Sequence, residues 1–457
     1  MTTSFDYTPP GLAQGVPGPV RRRHVFYLPG YDPEGSSRYR MLFVRELARY
    51  AKRFGEPKRT VSGANLSADG LVQSWRVAGQ PATQGAETTY DVLLWDDIVR
   101  DDFRRRRPVS VALLVFGTLQ TIVSGLMLRF YRLNWKYGNV ILYPLVMVLL
   151  LALCTLAIAA FVHAHLGTAF GHSLGWPLWV TLPAGLLIGL AWIKAMEAFL
   201  NRIFFWQLLN DWVFNWQHGQ GRRPDYERRL EAFAGHVLAR CTALAASDPL
   251  DEILILGHSS GALSAVEVTA RVLARDPHLG TGATTLALVT LGSGLPLVAM
   301  QGMAKGLRCE IASLVTSQRL VWADFQAPQD WMNFPGFNPV VHLTLDLQGR
   351  TVANPLVRSA RFREIISTET YRKVRWRPFR MHFQFLLAND RRGYYDFFAM
   401  TLGPQRLRER ALDPVLPGPV STDPASPNPA FPNPALPNPG SPSPGSPGAC
   451  PSTPLAS

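Results

Sequence analysis

DEILILGHSSGALSAV, residues 251–266, runs from a short apolar stretch through a tight turn into a segment of small residues at helical spacing. The turn Gly257-His258-Ser259-Ser260-Gly261 fits G-x-S-x-G. On a strand–turn–helix this pattern places the serine at a sharp bend, with its hydroxyl beyond the strand end and at the helix N-terminus. Unpaired N–H groups and the helix dipole there favour a developing oxyanion. The glycines leave no Cβ where strand and helix nearly touch. The pattern therefore predicts a nucleophilic serine, and the rest of the chain has to supply an oxyanion donor, a base and an acid.

Upstream, His24–Leu28 reads as an apolar strand that stops at Pro29-Gly30-Tyr31-Asp32-Pro33. A Gly-containing turn at a strand end is a position for a second oxyanion donor, and the backbone N–H of Tyr31 is the candidate. Residues 39–54 carry apolar residues at helical spacing opposite Arg and Lys, as an amphipathic helix packed on a sheet does. Weak strands are expected at 59–62 and 71–78, and a buried strand at 90–95. Downstream, a helix over 226–246 leads into the G-x-S-x-G strand, and its following helix extends to about Arg275. Apolar strands follow at 284–291 and 320–325. Apolar strands alternating with helices describe an α/β fold with a mostly parallel, doubly covered sheet. Residues 340–346, VVHLTLD, alternate and suggest an edge hairpin.

Between these halves the composition changes. Arg104–Arg107 precede three uncharged segments, 109–128, 140–162 and 174–193. The last two match the roughly 20 helical residues that cross a bilayer core. If the strand at 24–28 and the turn at 257–261 share one sheet, the number of crossings is even. Arg104–Arg107 lie before the first segment, and Arg129, Arg132 and Lys136 lie after it. A crossing there would put basic residues on both sides, against the positive-inside tendency. The loop 163–173 carries no Lys or Arg, whereas Lys194, Arg202, Arg222 and Arg223 follow the third segment. The expectation is an inserted transmembrane hairpin of 140–162 and 174–193 with both ends cytoplasmic. Segment 109–128 would lie in the interface or re-enter, and 195–216, rich in Phe and Trp, would be an interfacial helix.

The chain has 457 residues and a net charge of +13. Its arginines flank apolar runs and form no aromatic-interleaved patch, which favours membrane lipid over nucleic acid as partner. The four cysteines show no C-x-x-C, which points away from a zinc site. Residues 1–22 are rich in Pro and Gly without an apolar core, and read as a disordered lead with no cleavable signal peptide. The stretch 413–457 repeats Pro-Asn-Pro and Ser-Pro, which describes a disordered tail with no identifiable protein partner.

A serine hydroxyl needs a base, and the base needs a carboxylate to hold its tautomer. Three histidines follow Ser259: His278, His342 and His382. His278 lies in a polar turn, and His342 falls within VVHLTLD. His382 precedes an expected helix through Tyr394 and Tyr395, so it is the favoured base, with His342 the alternate. For the acid, Asp330 lies in the loop beyond the 320–325 strand, and Asp324 at the strand tip is the alternate. His258 either lines the pocket or packs within the turn.

Gly257-His258-Ser259-Ser260-Gly261, Leu28-Pro29-Gly30-Tyr31 and the late Asp330 and His382 together resemble the α/β-hydrolase superfamily, in particular bacterial membrane-embedded hydrolases of lipase or esterase type. The resemblance covers about 24–100 and 225–400, with the hairpin as an insertion. It implies Ser259 as nucleophile, His382 as base, Asp330 as orienting acid, and the N–H groups of Ser260 and Tyr31 as oxyanion hole. It divides the chain into a lead (1–22), a split α/β-hydrolase domain (23–103 and 222–410), a membrane insertion (104–216) and a tail (413–457). The expected activity is hydrolysis of an acyl ester of an apolar or amphiphilic substrate, without metal or cofactor, at the bacterial inner membrane with the catalytic domain cytoplasmic. An acyltransferase or thioesterase on the same triad, and a non-catalytic membrane scaffold with an interaction tail, are the alternatives.

Overall fold

The computed structural model describes residues 18–78, 85–169, 178–247 and 249–412. The expected lead and tail therefore fall almost entirely outside the described residues. The chain divides into two compact units, 1–100 with 218–457, and 101–217.

The larger unit is an α/β layer built on eight strands: β1 (Arg22–Leu28), β2 (Asn65–Leu66), β3 (Val72–Val77), β4 (Glu87–Leu93), β5 (Glu252–His258), β6 (Thr285–Leu291), β7 (Leu320–Gln326) and β8 (Leu356–Ser359). Their order is β2-β3-β4-β1-β5-β6-β7-β8. The run from β4 to β8 is parallel, and β2 and β3 join antiparallel at one edge. The central strands are buried along their whole length, so they read as continuous apolar runs without alternation. One face carries Val25, Leu254, Leu256, Val289, Val321 and Phe325 against the helix Gly35–Phe54 and the chain around 381–402. Each such side chain contributes about 1.5–3 kcal/mol through removal from water.

Strand β1 pairs with β4 on one side and β5 on the other, with Leu28 opposite Gly257. The chain leaves β1 toward the β2–β4 edge and leaves β5 toward β6. Such a divergence marks the place, beyond the carboxyl ends of the two strands, where open α/β sheets bind ligands. The pair is also tied by Arg23, whose Nε donates to Glu252 Oε2 at 2.7 Å, both side chains being buried. The remaining guanidinium donors satisfy the carbonyls of Gly403 and Gln405.

Three local expectations are corrected. Residues 340–346 form no strand: Asn338 accepts the Val340 N–H at 3.0 Å, Pro339 opens a helical turn Pro339–His342, and the edge strand is β8 instead. A capped turn starting at proline outcompetes the alternating pattern. The chain after His382 is a short 3-10 turn, Phe383–Leu386, and the helix begins only at Phe397, capped by Asp396. At the antiparallel edge, 59–62 contributes a single bridge, Val61 to Val77, and β2 lies between the two expected strands, at Asn65–Leu66.

The smaller unit is helical. Arg107–Val123 breaks at Ser124 and Gly125, where Gly125 takes φ +72°, and continues as Leu126–Leu133 at 81°. The polar residues of this apolar segment serve the helix Phe205–Gly219: Trp212 Nε1 donates to Thr118 Oγ1 at 3.0 Å and Trp216 Nε1 to Gln120 Oε1 at 2.9 Å. The expected segment 195–216 is likewise broken, between Arg202 and Phe205. Among the described residues one helix, over Trp135–His165, is long and apolar enough to cross a membrane, and it leaves Leu149, Leu153 and Leu156 exposed. The helix Leu178–Ala195 packs against it through Gly185 and Gly189. A Cβ on Gly185 would lie 2.5 Å from Ala159 Cα, and one on Gly189 2.6 Å from Thr155 Cγ2. Small residues four apart let helix backbones approach this closely. Of the expected segment 174–193, residues 174–177 lie outside the described residues.

Candidate active site

Ser259 joins β5 to the helix Ser260–Arg275 with φ +60° and ψ −128°. A side-chain-bearing residue in such a conformation costs about 1–3 kcal/mol and persists only where its surroundings enforce it. The enforcement is visible. The Ser259 N–H donates to Leu291 O at 3.0 Å, and Ser259 O accepts from Ala262 N–H at 3.1 Å and Gly294 N–H at 3.2 Å. A Cβ on Gly257 would lie 2.6 Å from Ala262 Cα, and one on Gly261 2.6 Å from the Pro29 carbonyl carbon. Both glycines of G-x-S-x-G are thus dictated by backbone packing, and the Gly261 contact locks the turn after β5 against the turn after β1.

That second turn reaches the serine itself. A Cβ on Gly30 would stand 3.1 Å from Ser259 Cβ and 3.6 Å from Oγ. The turn is fixed by Trp95, whose Nε1 donates to Pro29 O at 2.9 Å and whose ring meets the buried Tyr31 edge-on at 5.8 Å. Ser260 opens the helix that follows the serine.

His382, at the end of the short helix Pro378–His382, and Asp330, 52 residues away in sequence, meet through Nδ1 and Oδ2 at 2.6 Å, with both side chains buried. Asp330 Oδ1 accepts the Met332 N–H at 2.9 Å, so the carboxylate is held at both oxygens. Its own backbone is pinned by Asn333, whose Nδ2 donates to Asp330 O and Ala327 O. The other ring nitrogen of His382, Nε2, is buried without a hydrogen-bond partner. A Cβ on Gly292 would lie 3.1 Å from His382 Cε1. The segment Leu291–Gly294 therefore borders both Ser259, by two backbone hydrogen bonds, and the His382 ring. No Ser259–His382 hydrogen bond is formed.

His258 is more than a packed residue of the turn. Its Nε2 lies 3.2 Å from the backbone oxygen of His382, and the two rings are 4.5 Å apart. Burial first, and then the nearness of His382, hold the His258 imidazole well below its usual range, so it stays neutral. Neutral His258 then donates from Nε2 to His382 O. No local pattern announces this contact, because it joins segments 124 residues apart.

The alternates lie elsewhere. His342 caps its own helical turn, with Nδ1 near Asn338 N at 3.1 Å, and stacks on Phe337. Asp324 accepts from Thr290 Oγ1 and Gln326 Nε2, each at 2.6 Å, and burial raises its carboxyl to about 6. A second imidazole–carboxylate cluster, unpredicted, joins the sheet to the helix Pro224–Ser247. Asp91 takes Ser74 Oγ at 2.7 Å, with His236 Nε2 and His24 Nε2 each at 3.1 Å. His24 sits well before the end of β1, far along the strand from the turn that meets Ser259. Among the described residues no group of three or more His, Cys, Asp or Glu could hold a metal ion.

Comparison with family models, with curated proteins and with solved structures found no match to this chain.

Proposed function

We propose that the chain is a membrane-anchored serine hydrolase of α/β-hydrolase type that cleaves acyl esters of apolar or amphiphilic molecules. The observation that carries this reading is the buried 2.6 Å contact of His382 Nδ1 with Asp330 Oδ2, beside a strained serine at a strand–helix turn. A histidine held at Nδ1 by a carboxylate has its Nε2 available as a base, the arrangement that activates a serine hydroxyl.

In this reading Nε2 of His382 takes the Ser259 proton as Oγ attacks the ester carbonyl. The Oγ–C bond forms, and the carbonyl π pair moves to oxygen, facing the N–H groups of Ser260 and Tyr31. Collapse expels the alcohol, which takes the proton from His382 and leaves an acyl-serine. Water, deprotonated by the same nitrogen, releases the acid and restores the hydroxyl. Asp330 orients the ring and stabilises the imidazolium. Support for the donor positions comes from the Gly30 turn against Ser259 and from the helix start at Ser260.

The membrane anchor in this reading is the hairpin 140–162 and 174–193, with both ends cytoplasmic. It is supported by the long apolar helix and by the close Gly185 and Gly189 packing. Reporter fusions at residues 133 and 168 should fall on opposite sides of the membrane. The chemistry is tested with a fluorophosphonate probe on the detergent-solubilised protein. Wild type should label and hydrolyse short- and medium-chain esters, and Ser259→Ala should do neither. Absence of Ser259-dependent labelling would favour a non-catalytic scaffold.

A further inference from the structure

Trp322, Asp324 and Gln326 occupy every second position of β7 and so share one face of the strand. They begin a chain of hydrogen bonds that ends on the loop carrying Asp330. Trp322 Nε1 donates to Thr290 Oγ1 at 3.0 Å, and Thr290 Oγ1 donates to Asp324 Oδ1 at 2.6 Å. Gln326 Nε2 donates to Asp324 Oδ2 at 2.6 Å and to Phe337 O at 2.7 Å. Gln326 Oε1 accepts the Gly336 N–H at 2.6 Å. One side-chain amide thus satisfies two consecutive backbone groups at the far end of the loop 327–337. The near end is closed separately, where Asn333 Nδ2 donates to Ala327 O at 2.9 Å and Asp330 N–H donates to Ala327 O at 3.1 Å.

A small gap in the packing borders this tie. A cavity of about 10 Å³, lined by Trp322, Asp324, Gln326, Phe334 and Phe337, lies at the same place. It is large enough for about one water molecule. The hydrogen bonds therefore hold this end of the loop where side chains leave a gap.

We infer that Asp324 and Gln326 form a positioning clamp for the Asp330 loop, in which Asp324 works as a hydrogen-bond acceptor and not as the acid of the site. The inference rests on the hydrolase reading for its catalytic meaning, since the loop matters because Asp330 orients His382. Asp324 keeps Gln326 in the rotamer that reaches Gly336 and Phe337. Asparagine can replace it, because its amide oxygen accepts from Gln326 while its Nδ2 donates to Thr290 Oγ1. Leucine cannot replace it. Methionine at 326 matches the length of glutamine but lacks all three hydrogen bonds.

The test uses the full chain in detergent with the variants D324N, D324L, Q326M, Q326E and D330N. Two measurements are made on each: hydrogen exchange across 327–337, and ester turnover per probe-labelled site. The clamp predicts faster exchange at Gly336 in D324L, Q326M and Q326E, with rescue in D324N. It also predicts that kcat falls about tenfold or more in those three with KM within about twofold, as expected when positioning and not binding is lost. D324N should stay within about threefold of wild type, whereas D330N should not. Wild-type exchange in both Gln326 variants would overturn the clamp, whatever the enzyme does. A D324N variant as inactive as D330N would make Asp324 the acid and overturn it too. If wild type shows no Ser259-dependent labelling, the hydrolase reading fails and the exchange data alone judge the clamp. Should D324L not fold, Q326M and D324N carry the same comparison.

Discussion

Gly30 and Ser259 meet across the ends of two neighbouring parallel strands, so closely that a methyl group on Gly30 would stand 3.1 Å from Ser259 Cβ. At that separation one of the two must give by a few tenths of an ångström. Gly30→Ala is expected to fold and to lower kcat about tenfold, by turning the serine away from its attack geometry. Gly30→Val should abolish probe labelling while the far-UV spectrum is kept. Normal turnover in both would remove the turn after β1 from the site.

Ser259 sits at φ +60°, a conformation glycine adopts without penalty. Ser259→Gly should therefore be inactive yet more stable, by about 1 kcal/mol, read as a higher midpoint in thermal unfolding. Ser259→Ala keeps the Cβ and should show no such gain. Equal midpoints for the two variants would mean that the turn stores no strain.

Asp330→Asn leaves the loop in place, because Asn333 and the Met332 N–H still find acceptors. It replaces the carboxylate that faces His382 Nδ1. Turnover is expected to fall by about a thousandfold or more, with little change in KM. A loss below tenfold would show that Asp330 is a structural partner of His382 only.

The helix pair of the smaller unit makes a steric prediction. A Cβ on Gly185 would lie 3.1 Å from Ala159 Cβ. The same Cβ would lie 2.5 Å from Ala159 Cα, so any side chain at 185 pushes the two helices apart. Gly185→Leu should block the packing and lower the yield of membrane-inserted protein.

Two buried groups give pH dependences of opposite sign. His258 is held below its usual range, so both states are neutral above the unfolded value of about 6.5. Below that pH the unfolded chain takes a proton that the fold refuses, and stability falls. Asp324 is raised to about 6, above its ordinary 3.8. Between those values the fold takes the proton first, so its contribution is full below the window and is lost as pH rises through about 6. His258→Asn should remove the loss on acidification, and Asp324→Asn the gain. Midpoints measured from pH 7.5 to 4.5 check both; parallel curves for wild type and His258→Asn would contradict the neutral buried imidazole.

Much of the larger unit was legible because its central strands are short apolar runs, a signal that survives without tertiary context. β5, β6 and β7 fall within a residue or two of expectation, and Ser259 and Asp330 follow from where those strands end, whereas His382 follows from chain order, ahead of a helix that starts only at Phe397. Legibility stopped where a local choice was settled by one side chain. Asn338 turns VVHLTLD into a capped helical turn, and Asp396 delays the helix expected after His382. It also stopped at contacts between distant segments. Nothing near His258 announces the His382 carbonyl, and nothing near Asp324 announces that Gln326 will turn back to Gly336. In the smaller unit, composition marked the apolar helices, but not that Thr118 and Gln120 receive indole N–H groups.

The pairing of β1 with β5 also sets a clock. During synthesis Leu28 leaves the ribosome long before Gly257, the residue it lies beside. At about 5–20 residues per second the delay is on the order of tens of seconds. Throughout it, β1 has one edge without its neighbour, and Gly30 has no serine to meet. The whole segment 101–217 is made within that interval. A ribosome stalled before β5 would hold a chain with its apolar helices complete, so Ser259 comes into being only after they have been made.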